Sequence, residues 1–234
     1  VYKRQGVAST VVMPEGASQT KAAASQGYGA QVILHGDPGE AFRKAFELAE
    51  ERSLIFVHPF DDEYVVAGHA SCMLEVLEDL PDVATVVVPV GGGGLASGLA
   101  VASEVVAPDL ALWCVEPVGA AAMHRSFQEG HAVHLDAVST VADGLKAPMA
   151  GVLNYEILRR TARGVALVDD DAIVRAMRLL LERTKLLAEP AGAAGLAAVL
   201  EGAVPDLRGP VVVVLSGGNV DSALLGRLLQ DDAR

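Results

Sequence analysis

An α/β protein built on open parallel sheets flanked by helices is the fold this sequence predicts, and three observations predict it. Hydrophobic residues make up 51% of the 234 residues but aromatics only 4%, so the core is Ala, Val and Leu, the composition of helices on parallel strands. Short β-branched runs alternate along the chain with helical patterns. Two glycine-rich loops follow β-runs directly, at Gly91–Gly94 and Gly217–Gly218. The length allows one large domain with a smaller lobe.

The elements read in order. Ser9–Met13 reads as a strand closed by Pro14, Glu15–Gly27 as an Ala-rich helix and Gln31–Leu34 as a strand. Gly39–Arg52 carries Phe42, Ala45, Phe46 and Ala49 at helical spacing. Leu54–His58 reads as a third strand, completing a βαβαβ unit whose crossovers imply parallel pairing. The segment His58–Gly68 reads as a crossing between lobes, and His69–Asp79 as a helix. Val83–Val90 is a strand, Ala96–Val106 a helix and Leu110–Val115 a strand. Residues 119–151 are less regular. Val165–Val168 leads into Asp169–Asp171, an acidic helix start, and the helix continues through Thr184. Ala191–Leu200 is a further helix, and Val211–Leu215 reads as a fully buried strand.

The formal net charge of -12 argues against a nucleic-acid partner, because the phosphate backbone would be repelled. Cys72 and Cys114 lie in no metal-binding spacing and fit free thiols in a reducing cytoplasm. The apolar stretch Thr85–Ala107 is broken by Pro89 and glycines, so no membrane span is expected.

Four consecutive glycines after a strand leave backbone N–H groups unobstructed, and with the following helix start they suit an anion such as phosphate. A tight strand–helix turn is the plain alternative. A dinucleotide reading also fits locally: Gly91, Gly93 and Ala96 satisfy G-x-G-x-x-A, and Glu116 ends the next strand where a ribose-binding acid would stand. Pro117 directly after that acid and the unexplained second loop count against it.

Taken together, the segments VVMPEGASQTK (Val11–Lys21), HPFDD (His58–Asp62), VVVPVGGGGLASG (Val86–Gly98), VEP (Val115–Pro117), ADGL (Ala142–Leu145), LLLERTKLLAEPAGAAGLAA (Leu179–Ala198) and VVVVLSGGNVD (Val211–Asp221) closely resemble the pyridoxal-phosphate serine/threonine dehydratases (threonine ammonia-lyases) and serine racemases. The resemblance implies a two-lobed fold of type II, like the tryptophan synthase β-subunit. Residues 1–64 would be the remainder of a small lobe and 65–234 the large cofactor-binding lobe, lacking its N-terminal part. It implies that Gly91, Gly92, Gly93, Gly94 and the Leu95 backbone cradle the phosphate of pyridoxal 5'-phosphate. Ser216 would face the pyridine nitrogen, with the Gly144 backbone and Glu189 near the ring. The implied reaction is β-elimination of L-threonine or L-serine to a 2-oxo acid and ammonia, by a cytoplasmic homodimer whose partner is an amino-acid substrate.

The sequence departs from the family in four places. The Schiff-base lysine lies in a Ser-Phe-Lys-type segment that does not occur here, so no catalytic residue is assigned among Lys3, Lys21, Lys44, Lys146 and Lys185. The natural protein is therefore expected to be longer at its N-terminus, and the chain as written should not complete the reaction. Val1–Gln5 fits neither family nor strand and reads as a foreign leader. Ala70 replaces a family glycine and is expected near a helix start, where it would shift the backbone under the cofactor. Some relatives bind a divalent cation through the counterparts of Glu116 and Ala120 plus an aspartate, which is Ala122 here, so a monovalent or weakly bound divalent cation is the most expected.

Other candidates have ordinary explanations. His58 is expected to order the lobe crossing; His124, His131 and His134 read as solvated loop residues; Asp61-Asp62 suggests an Asx turn and Asp169–Asp171 a helix cap. A lyase is the leading reading. A dinucleotide oxidoreductase and a non-catalytic ligand-binding relict remain as alternatives.

Overall fold

The computed structural model describes residues 5–17 and 19–230; of the leader segment, Val1–Arg4 lie outside the described residues. Two compact units are present. The first runs to Val57 and includes Asp221–Leu225; the second spans His58–Val220 and the residues from Gly226.

In the first unit β1 (Thr10–Met13) pairs in parallel with β2 (Gln31–Leu34), with Thr10 opposite Gln31 and Met13 opposite Leu34. Helix α1 (Gln19–Gly27) connects them, and α2 (Pro38–Glu51) follows. Asp37 caps α2 reciprocally with Glu40, each side chain accepting the other's backbone N–H, and Pro38 occupies the first helical turn. The strand expected at Leu54–His58 does not form. This stretch has no ladder partner among the described residues, and Ile55 is 92% exposed. Phe56 instead stacks on Phe46 at 4.1 Å and meets Phe42 edge-on at 5.6 Å, so aromatic packing on α2 fixes the segment.

The second unit holds α3 (Glu63–Asp79), β3 (Thr85–Pro89), α4 (Gly94–Val106), β4 (Ala111–Pro117), α5 (Ala122–Glu129), α6 (Val152–Thr161), β5 (Gly164–Val168), α7 (Asp170–Leu179), α8 (Pro190–Leu200) and β6 (Val211–Val213). A last helix, α9, covers Ser222–Gln230. The strands form one parallel sheet in the order β5-β4-β3-β6. Side chains alternate across it as the strand period requires. Val86, Val88 and Val90 join Leu99, Met73, Tyr155 and Leu158 in the main core, while Val87 and Pro89 approach Gly195 of α8. Helices therefore cover both faces. Helix α8 is nearly all Ala and Gly, so it lies close to the strands: a β-carbon at Gly195 would stand 3.1 Å from Val213.

Several elements differ from expectation. Helix α3 begins six residues early, because Asp62 accepts the Tyr64 and Val65 N–H groups at 2.8 and 3.1 Å and so caps it. Ala70 consequently lies inside that helix, partly buried against the core, rather than near a helix start. β6 is an edge strand with Val211 37% exposed, not a fully buried one, since the described sheet ends there. Residues 119–151 contain α5, and α6 starts immediately after them. The regular part of α7 stops at Leu179 and gives way to one π-helical turn, Leu180–Thr184, where the Thr184 hydroxyl bonds back to the Leu180 carbonyl.

Asp61, beside the α3 cap, reaches across the unit. Its two carboxylate oxygens accept the Val152 and Leu153 N–H groups at 3.0 Å each, capping α6 from 91 residues away in sequence. Replacing Asp61 by Ala in the full-length protein is expected to cost about 1 kcal/mol in urea unfolding, with Asp61→Asn, which keeps one of the two acceptor oxygens, losing less. Equal losses in both variants would contradict a capping role.

Candidate functional site

The sheet order sets the place of the site. From β3 the chain moves outward through β4 to β5, then returns to lay β6 on the other side of β3. The carboxyl ends of β3 and β6 flank the point where strand order reverses, the crevice in which open α/β sheets bind ligands. Gly91–Gly94 leaves β3 there, and Ser216–Asn219 follows β6. The two loops are neighbours because Val87 pairs with Val213 and the Val214 N–H continues the ladder onto the Val87 carbonyl at 2.9 Å.

The first loop is glycine for steric reasons. At Gly92 a β-carbon would overlap the Phe60 ring, at Gly94 it would stand 3.0 Å from the Phe60 backbone, and Gly93 has φ +105. His58 fixes the Phe60 segment by accepting the Phe60 and Asp61 N–H groups on Nδ1, at 3.2 and 2.8 Å. The N–H groups of Gly91, Gly92 and Gly93, and of Gly94 and Leu95 in the first turn of α4, meet no acceptor among the described residues. With the helix dipole behind them, they are suited to an anion.

Three further pieces converge on this loop. Gly144, in a 3-10 turn at Asp143–Leu145, places its carbonyl 3.4 Å from a β-carbon at Gly91. Asp170 holds the approach to that turn, accepting the Thr140 hydroxyl at 2.5 Å and the Val141 N–H at 2.9 Å. Glu189 stands at the N-cap of α8 and donates its N–H to the Gly217 carbonyl at 3.0 Å. Its carboxylate oxygen lies 3.3 Å from a β-carbon at Gly144 and 2.5 Å from one at Gly217, so it sits between the two. Ser216, the residue before Gly217, is exposed. The sequence-predicted residues Gly91–Leu95, Gly144, Glu189 and Ser216 thus gather at one end of one sheet.

Glu116 does not belong to this group. It ends β4, is fully buried, and accepts the Met123 and His124 N–H groups at 2.8 and 2.7 Å. Its carboxylate therefore caps the start of α5 instead of facing a ribose, which removes the residue on which the dinucleotide reading depended. Ala120 is buried beside it, Ala122 opens α5, and no group of three metal-ligating side chains occurs among the described residues. His124 is also not a solvated loop histidine: it lies in α5 with Nδ1 3.0 Å from the Val165 carbonyl and Nε2 3.0 Å from Gln128. Since a carbonyl only accepts, Nδ1 carries the proton and Nε2 receives the Gln128 amide.

Three of the five lysines are engaged elsewhere, and Lys3 lies outside the described residues. Lys44 pairs with Glu47, Lys146 lies 3.8 Å from Asp143, and the Lys185 ammonium donates to the Glu182 carbonyl. Sequence reasoning did not anticipate Phe60 or Asn154 as partners of the loop; Asn154 lies in no quoted segment, and HPFDD marked Phe60 only as part of a unit.

Glycine loops at the switch point of a parallel sheet define this as an α/β protein of the ligand-binding open-sheet class. The chain belongs to the pyridoxal-phosphate dependent enzyme family, whose model matches residues 3–217. It is 46% identical over 217 residues to an L-threonine ammonia-lyase of Geobacter sulfurreducens, covering 92% of this chain and 54% of that protein. An L-threonine ammonia-lyase of Thermotoga maritima is 39% identical over 226 residues, covering 96% of this chain and 56% of the relative. The chain thus spans about half the length of these curated relatives. Among solved structures, maize serine racemase matches with a TM-score of 0.91 and 32% identity, over 98% of this chain and 71% of that one. A threonine deaminase from T.th. matches at 0.88 and 39%, over 94% and 72%. The two-lobed, fold-type-II expectation agrees with these likenesses.

Burial pushes the Glu116 carboxyl up from 4.5 to about 8, against the two N–H donors that pull it down. Between these values the folded protein holds a proton that the unfolded chain has lost, so this group's stabilisation is complete below pH 4.5 and is lost as pH rises towards 8. The Tm difference between wild type and Glu116→Gln should therefore move steadily against the wild type across that window and level off above it. A difference independent of pH would contradict the burial argument.

Proposed function

We propose that the full-length protein is a pyridoxal-phosphate-dependent ammonia-lyase that converts L-threonine or L-serine to a 2-oxo acid and ammonia. The observation that carries this is the convergence of Gly91, Gly144, Glu189 and Gly217 at the ends of β3 and β6, with anion-ready N–H groups on the first loop. The relatives at 46% and 39% identity are named L-threonine ammonia-lyases, which supports the same substrate class.

The residues fit the cofactor. The crowded positions Gly92, Gly93 and Gly94 leave backbone instead of side chain at the loop surface, so the N–H groups of Gly91–Leu95 would hold the phosphate. Glu189 and the Gly144 backbone would border the ring, and the Ser216 hydroxyl would meet the pyridine nitrogen. When bound, the cofactor supplies an electron sink for the carbon from which the substrate loses its proton. The uncharged Ser216 hydroxyl would leave the ring nitrogen close to neutral, where a carboxylate would hold it protonated. The Schiff-base lysine is assigned to no residue of this sequence.

The reading extends to the lobes, with residues 1–64 in the smaller and 65–234 in the larger cofactor lobe. Any cation at Glu116 and the Ala120 carbonyl is weakly held, monovalent or divalent, because both Glu116 oxygens already accept N–H groups and Ala122 offers no oxygen from its side chain. A homodimer is supported by the family resemblance alone. The free thiols Cys72 and Cys114 suit a reducing cytoplasm, and no described helix is long and apolar enough to cross a membrane.

The test is turnover by the full-length protein with pyridoxal phosphate. L-threonine or L-serine should yield 2-oxo acid and ammonia in equal amounts, and omission of the cofactor should abolish both. A protein that binds pyridoxal phosphate yet releases no 2-oxo acid from either substrate would overturn the reading.

A further inference from the structure

Asn154 is fully buried in the first turn of α6, and its amide is committed to the glycine loop. Nδ2 donates to the Gly92 carbonyl at 3.1 Å and to the Phe60 carbonyl at 2.9 Å. The Gly151 N–H donates to the same Gly92 carbonyl at 3.0 Å. Two donors from the start of α6 therefore hold one carbonyl of the loop. The Gly92–Gly93 peptide is trans and planar, so the Gly93 N–H points opposite to that carbonyl, away from α6. Gly93 packs directly on this side chain: a β-carbon there would stand 2.7 Å from the Asn154 β-carbon.

The amide orientation is fixed by chemistry. Turned over, Oδ1 would face two carbonyl oxygens and lose both bonds. In the orientation that makes them, Oδ1 is buried with no hydrogen-bond partner among the described residues. An unpaired buried acceptor costs stability, and an apolar residue would avoid that cost. Retaining it is reasonable where the two donors serve the loop.

We infer that Asn154 is a positioning residue that aims the Gly93 N–H, and with it the glycine loop, at an anionic phosphate. This rests on the phosphate reading of the loop given above. Asn154 touches no reacting atom; it acts through the backbone of Gly92 and Gly93.

The experiment compares binding of pyridoxal phosphate and of pyridoxal, which lacks the phosphate, to the full-length protein by absorbance or fluorescence titration. In Asn154→Leu the preference for the phosphorylated form is expected to fall roughly tenfold, the scale of one charge-assisted hydrogen bond, with affinity for pyridoxal unchanged within about twofold. The Tm of the cofactor-free protein should stay within about 3 °C, since Leu removes an orphan acceptor as well as two donors. Should Asn154→Leu fail to fold, Asn154→Ser, which removes Nδ2 without adding bulk, is expected to show the same loss of preference. Unchanged preference in the folded variant would overturn the inference, as would equal loss of both ligands, the mark of a merely structural role. A wild type with no preference for the phosphorylated form would instead overturn the phosphate reading itself, and this inference with it.

Discussion

Parallel pairing of β3 on both of its edges is the constraint from which the rest of the second unit follows. The register of this strand is not left to loops: Thr85, Val86 and Val87 each face a partner in β4 and another in β6. A strand paired twice and covered on both faces has no solvent-facing side, which is why Thr85–Pro89 is buried throughout. The same double pairing places two chain segments far apart in sequence side by side at their carboxyl ends. Backbone there must turn sharply under helices already packed on the sheet, and glycine is the residue that fits.

The turns are then held by polar side chains, most of them acting across long sequence distances. Asp61 caps α6, Asp170 fixes the approach to Gly144, Glu116 caps α5, and Asn154 ties Gly92 to Phe60. Each satisfies backbone groups that a loop between buried elements would otherwise leave unpaired. The cost falls where desolvation is greatest, as a carboxyl pushed towards neutrality at Glu116 and an orphan oxygen at Asn154. The N–H groups of Gly91–Leu95 are left without acceptors among the described residues as a consequence, because their neighbours are pinned by other donors and acceptors.

Much of this was legible in the residues. The run VVVPV followed by four glycines announced a strand and its loop, and Asp169 was recognisable as a cap because cap, first turn and apolar face adjoin in sequence. Glu189, Gly144 and Ser216 were legible only through family segments, since nothing local says that they meet. Leu54–His58 misled because β-branched and aromatic residues favour a strand, yet pairing needs a partner and Phe56 found the α2 aromatics first. Helices α5 and α6 escaped notice because their starts are capped by Glu116 and Asp61, seven or more residues away, and not by a residue at the N-cap. Asn154 had no sequence signal: a lone Asn in an amphipathic helix looks the same whether it faces solvent or a buried carbonyl.

The central claim is that backbone N–H groups of the loop after β3 receive a phosphate. Backbone amide resonances of the full-length protein, followed during titration with pyridoxal phosphate, test it most directly. The account predicts that the amides of Gly92–Leu95 shift more than those of the other loops, and that pyridoxal without its phosphate leaves them nearly in place. Binding of pyridoxal phosphate that leaves these amides unmoved would contradict it.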